Sequence, residues 1–156
     1  RPGMAARAAP PGTYRVRVAA VEAAGRAGTT DYELKVEVPR ADPLKLSTLV
    51  LGTQQPGGTF TPRLDFATES VAIGLVEIYN VPKGGAVTVT LDIVQTPDGS
   101  PVANAETTVS QGGAEDMRVA YGGFNIAGLT PGDYLMRAVV SLDGKPVGRV
   151  VRTVRK

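Results

Sequence analysis

A chain of 156 residues with 42% apolar content has the makeup of a folded globular protein and excludes a disordered tail; it is long enough for one good core or one and a half small domains. Its 17 basic residues nearly balance 15 acidic ones, so the net charge of +2 gives nucleic acid little to hold. With neither Cys nor His, the chain can form no disulfide, thiolate metal site or His-based serine triad, and no stretch approaches the about 20 apolar residues that span a bilayer.

The start, Arg1-Pro2-Gly3, reads as the interior of a longer protein, without the basic and hydrophobic regions of a signal peptide. Tyr14, Val16 and Val18 then alternate with Arg15 and Arg17, the period-two pattern of a half-buried strand. Tyr32 to Val38 repeats that pattern, with Leu34, Val36 and Val38 alternating with Glu33, Lys35 and Glu37. The Gly25 to Gly28 stretch supplies a turn, so a hairpin is expected with a basic outer row opposite a mostly acidic one. Pro39 to Pro43 reads as a short interdomain linker, because two prolines around Asp42 interrupt a ladder.

From Leu44 a fresh set of strands is expected: Leu44 to Leu51, Phe60 to Phe66, Val71 to Tyr79 and Ala86 to Gln95. The last has Val87, Val89, Leu91 and Ile93 on one face and Thr88, Thr90 and Asp92 on the other. Pro97-Asp98-Gly99-Ser100 is a turn, and Val102 to Ser110, Met117 to Ile126, Tyr134 to Leu142 and Val147 to Val154 complete the set, the final hairpin closing at Asp143-Gly144. No window sustains helical apolar spacing. The chain is therefore predicted to be all-β, an immunoglobulin-like or fibronectin-III-like β-sandwich over residues 43–156.

Pro11-Gly12-Thr13-Tyr14-Arg15-Val16-Arg17 recurs as Pro131-Gly132-Asp133-Tyr134-Leu135-Met136-Arg137. This internal repeat, about one sandwich domain apart, makes residues 1–42 the final hairpin of a second, incomplete sandwich plus linker. Pro131, Gly132 and Tyr134 have the pattern of a tyrosine corner, in which the phenol folds back onto upstream backbone; Tyr14 is its counterpart in the first copy. Tyr14, Val16, Val18, Leu34 and Val36 need a covering surface, which makes them a candidate strand-pairing interface with another protein or a second copy.

Signals for chemistry are weak. Glu115 and Asp116 are expected on opposite faces of a strand, Asp65 and Glu69 near a loop, all as surface acids. Asp98-Gly99-Ser100 resembles the start of a metal-binding D-x-S-x-S run, but Val102 occupies the fifth position. The pairs Gly57-Gly58, Gly84-Gly85, Gly112-Gly113 and Gly122-Gly123 lack the Lys-Ser or Lys-Thr of a phosphate loop and read as turns and bulges. Arg149, Arg152, Arg155 and Lys156 have no interleaved aromatics on which bases could stack. No cofactor, metal, catalytic group or nucleic-acid partner is expected.

Pro11 to Ala20, Leu46-Ser47-Thr48-Leu49-Val50-Leu51-Gly52, Val76-Glu77-Ile78-Tyr79, Pro131 to Tyr134 and Gly144-Lys145-Pro146-Val147-Gly148-Arg149 together resemble the C-terminal tandem β-sandwich region of the von Willebrand factor A related proteins of acidobacteria. The resemblance implies an exported bacterial protein, secreted, periplasmic or on the cell surface, whose A domain, carrying any metal-dependent adhesion, would lie upstream. The expected function is a non-enzymatic structural or adhesive module. Two alternatives stand beside it: a fibre subunit that assembles by strand complementation, and an accessory carbohydrate-binding domain of a larger enzyme, using Tyr121 and Phe124.

Overall fold

The computed structural model describes residues 11–37, 40–54 and 58–156. Val38, Pro39, Gly57 and the leader through Pro10, on which parts of the sequence expectations fall, lie outside them. Among the described residues the chain is all-β, with twelve strands and no helix. It divides into two compact units, Arg1–Val38 and Pro39–Lys156.

The first unit is an antiparallel hairpin of β1 (Gly12–Val21) and β2 (Ala27–Val36). Its register sets Tyr14 opposite Leu34, Val16 opposite Tyr32 and Val18 opposite Thr30. Residues directly opposite each other share a face, so these side chains make one apolar surface while Arg15, Arg17, Asp31 and Glu33 make the other. The loop closes where the Glu22 N–H donates to the Arg26 carbonyl at 2.8 Å and the Gly25 N–H to the Glu22 carbonyl at 2.9 Å. Gly25 sits at φ 83°, a left-handed conformation that glycine adopts without steric penalty.

The second unit contains β3 (Arg40–Ala41), β4 (Leu44–Leu46), β5 (Val50–Gln54), β6 (Phe60–Pro62), β7 (Val71–Tyr79) and β8 (Val87–Val94). It continues with β9 (Ala103–Gln111), β10 (Arg118–Asn125), β11 (Asp133–Leu142) and β12 (Lys145–Arg155). One sheet runs β6–β5–β7–β10–β9, with β4 also pairing β7 and β3 pairing β4. The other runs β9–β8–β11–β12. Strand β9 belongs to both: Ala103 to Ala105 pair with β8, and Glu106 to Gln111 pair with β10. The last strand is flanked in parallel by Leu64 to Phe66, through an Arg155 N–H to Leu64 carbonyl bond of 2.9 Å and a Phe66 N–H to Arg155 carbonyl bond of 2.8 Å. The order β5–β7–β10–β9 over β8–β11–β12 is consistent with an immunoglobulin-like sandwich.

Alternation explains the core. Every second residue of β7 and β11 is buried, and the inward set Phe66, Phe124, Leu46, Ile78, Leu91 and Met136 is fully enclosed. In β8 the inward residues are Val89, Leu91 and Ile93, while Thr88 and Thr90 are exposed, as the period-two pattern predicts. At the final turn Asp143 (φ 50°) and Gly144 (φ 78°) both take positive φ, the requirement of a type I′ hairpin.

Two expectations are corrected. The stretch from Pro39 to Pro43 is not all linker, because Arg40–Ala41 forms β3 against β4 and Ala41 is buried. Pro43 falls in the turn between them and so interrupts no ladder, and the unit boundary lies at Val38 rather than at residue 42. Glu115 and Asp116 lie in the turn joining β9 to β10, not on a strand, since the Met117 N–H donates to the Ala114 carbonyl at 3.1 Å and closes that turn.

Gly148 of β12 lies close against β3. A methyl group there would lie 2.3 Å from the Ala41 Cβ, whereas at Gly28, its counterpart in the repeat, nothing lies within 4 Å. Gly148→Ala is therefore expected to cost about 1 to 3 kcal/mol by overpacking, and Gly28→Ala to be neutral or stabilising by about 0.5 kcal/mol through reduced freedom of the unfolded chain. Urea unfolding of the two variants side by side checks the pair; equal effects would contradict the close approach.

Candidate functional site

The first hairpin presents an apolar surface to solvent. Val18 is 56% exposed, Tyr32 66% and Leu34 40%, with Tyr14 and Val36 half-buried. An isolated two-stranded hairpin is marginal in water, and such a face needs cover. On the opposite face the Arg17 guanidinium donates to both Asp31 oxygens at 2.7 and 2.9 Å, and Arg15 donates to the same carboxylate at 2.7 Å. Arg17 first and then Arg15 hold the Asp31 carboxyl below its usual range. One carboxylate thus serves two guanidinium groups.

The second copy of the repeat shows the same motif in a completed setting. Tyr14 faces Leu34 and Tyr134 faces Val154, and the registers stay equivalent as far as Ala20 opposite Gly28 and Val140 opposite Gly148. Each tyrosine ring lies near the glycine two residues before it, Gly12 or Gly132. The Tyr134 hydroxyl donates to the Thr130 carbonyl at 2.9 Å and lies 3.0 Å from the Thr130 hydroxyl, the backbone fold-back of a tyrosine corner. Gly132, just past Pro131, exchanges two backbone bonds of 2.8 Å with Lys156.

Arg137, the counterpart of Arg17, pairs with Asp92 directly opposite on β8. The guanidinium donates to both Asp92 oxygens at 2.9 Å and to the carbonyls of Pro97 and Gly99 at 2.9 and 3.3 Å, which ties the β8–β9 loop to the sheet. Asp92 is 3% exposed, one of the few buried polar residues. Sequence reasoning put Asp92 on the outer face but did not pair it. The repeated Arg17/Arg137 was the available signal.

The remaining candidates separate. Gln111 and Arg118 side chains donate to carbonyls in the turn containing Glu115 and Asp116, beside a cleft of about 770 Å³ that Val81, Lys83 and Gly84 also line. Asp65 accepts from the Ala67 N–H, and Glu69 pairs with Arg63. Asp98 and Gly99 form the expected turn, the Gly99 N–H donating to the Thr96 carbonyl at 2.9 Å. Arg149 and Arg155 are ion-paired with Asp98 and Asp133. Phe124 is fully buried and cannot present a ring to a sugar, although Tyr121 is 46% exposed. Gly122 and Gly123 lie within β10 rather than in a turn. Among the described residues no cluster of three metal-ligating side chains occurs, and no helix is long and apolar enough to cross a membrane. Comparison with protein-family models, curated proteins and solved structures finds no match.

Arg137→Met leaves the Asp92 carboxylate buried without its partner, which is expected to destabilise the sandwich by about 3 to 5 kcal/mol in urea unfolding. Arg137→Lys should recover only part of this, since a point charge cannot make the fork-shaped contacts. Elsewhere on the sheet, Tyr79 donates to the Glu77 carboxylate, which together with partial burial pushes its phenol up to about 12. The shift favours the protonated, folded form, so its stabilisation is complete below the ordinary tyrosine range near 10 and is lost as pH rises from there to about 12. Absorbance titration at alkaline pH is expected to show one tyrosine ionising late, and Glu77→Gln should bring it back down; an unchanged curve would contradict the pairing.

Proposed function

We propose that the chain is a structural or adhesive module of an exported protein, non-enzymatic, built from tandem immunoglobulin-like sandwiches. The observation that carries this reading is the same hairpin in equivalent register twice, once within a filled sandwich and once with its apolar face in solvent. Export rests on the resemblance to the tandem region of von Willebrand factor A related proteins. The exposed face favours one second reading, a fibre subunit in which a neighbouring copy covers the first hairpin.

Light scattering after size exclusion, with negative-stain imaging across a range of concentrations, separates the two. Discrete monomers are expected for the spacer. Ladders or filaments that lengthen with concentration would replace it with the fibre reading.

A further inference from the structure

Antiparallel strands alternate between residues whose amides face one neighbour and residues whose amides face the other. In β11 the exchange of bonds between Gly132 and Lys156 assigns Tyr134, Met136 and Ala138 to β12, which turns the amides of Leu135, Arg137 and Val139 toward β8. The Asp143 N–H, donating to the Ala86 carbonyl at 2.8 Å, continues that row. In β1 the bond from the Glu22 N–H to the Arg26 carbonyl fixes the same parity. The amides and carbonyls of Thr13, Arg15, Arg17 and Ala19 therefore point away from β2, and among the described residues β2 is the only strand that pairs with β1.

We infer that this outward edge of β1 docks an extended segment of another polypeptide, antiparallel to β1, with apolar residues alternating on the Val16 and Val18 face and a carboxylate opposite Arg17. The inference rests on the sandwich-repeat reading above. The internal copy shows the occupant's chemistry: β8 covers the equivalent edge of β11, placing Leu91 and Ile93 on the apolar face and Asp92 against Arg137. Arg17 holds the position of Arg137 in the row whose amides face the free edge, and the one carboxylate it contacts, Asp31, is shared with Arg15. The β1 edge of a second copy fits poorly. Antiparallel pairing of two β1 edges centred on Val16 sets Arg15 opposite Arg17, and centring on Arg17 sets it against itself, like charges directly opposed.

The test uses the whole chain, isotopically labelled and dilute, titrated with a synthetic peptide of the Ala86 to Gln95 sequence and with the same peptide carrying Asp92→Lys. Amide hydrogen exchange at Arg15, Arg17 and Ala19 is expected to slow about ten-fold or more with the first peptide. The second should bind about ten-fold more weakly, and Arg17→Glu in the chain should reverse that preference. If Arg17→Glu loosens the hairpin, the two peptides against the unaltered chain still decide. Free exchange of these amides at high peptide, or equal binding of both peptides, overturns the proposal. Protection that rises with the chain's own concentration, without peptide, assigns the edge to a second copy and also overturns it. Peptide failure with discrete monomers leaves the spacer reading standing, whereas filaments refute the spacer independently of the peptide result.

Discussion

A two-stranded β-hairpin with one apolar face and unpaired outer edges is only half satisfied by its own hydrogen bonds, and the organisation of this molecule follows from how each of its two copies meets that demand. In the sandwich, β8 takes the free edge of β11 and the facing sheet covers Met136, Ala138 and Val140 completely. Each fully buried aliphatic side chain contributes about 1.5 to 3 kcal/mol. In the first hairpin Val18 and Tyr32 forgo more than half of that burial, and Leu34 a smaller part of it. The ion pairs of Arg15 and Arg17 with Asp31 do not replace it, because exposed pairs are screened by water and salt.

The two arginines of the repeat show how context changes one side chain's work. Arg17 is surrounded by solvent and shares its carboxylate with a neighbour. Arg137 closes over Asp92 and the loop carbonyls, so the pair is tied to the position of β8 and to the path of the chain into β9. A desolvated pair of this kind gains little over a well-packed apolar pair, but it penalises any register that separates its members. Its contribution is to the choice of pairing more than to total stability.

Strands were legible wherever alternation was long. Val71 to Tyr79 matches β7 end to end, and Thr88 and Thr90 face water while Leu91 does not. β3 was not legible because two residues carry no period, and Ala41 packs against Gly148, far along the chain. The segment Leu44 to Leu51 reads as one strand but is broken at Ser47 to Leu49: the Ser47 N–H still donates to the Glu77 carbonyl, but the Glu77 N–H donates to the Ser47 hydroxyl instead of to its carbonyl. The pairing of Asp92 with Arg137 required knowing that β8 and β11 are neighbours, a fact of topology rather than of local pattern. The repeat did make the apolar face of the first hairpin visible, because its residues could be read against their counterparts.

The final residues of β12 are gripped from both flanks, antiparallel by Gly132 and parallel by Leu64 to Phe66. A pull along that strand loads the two rows of bonds together, in shear, instead of opening them one after another as a zipper opens. The end of the sandwich is thereby suited to bear tension. In the first hairpin, among the described residues, β1 has a ladder on one side alone.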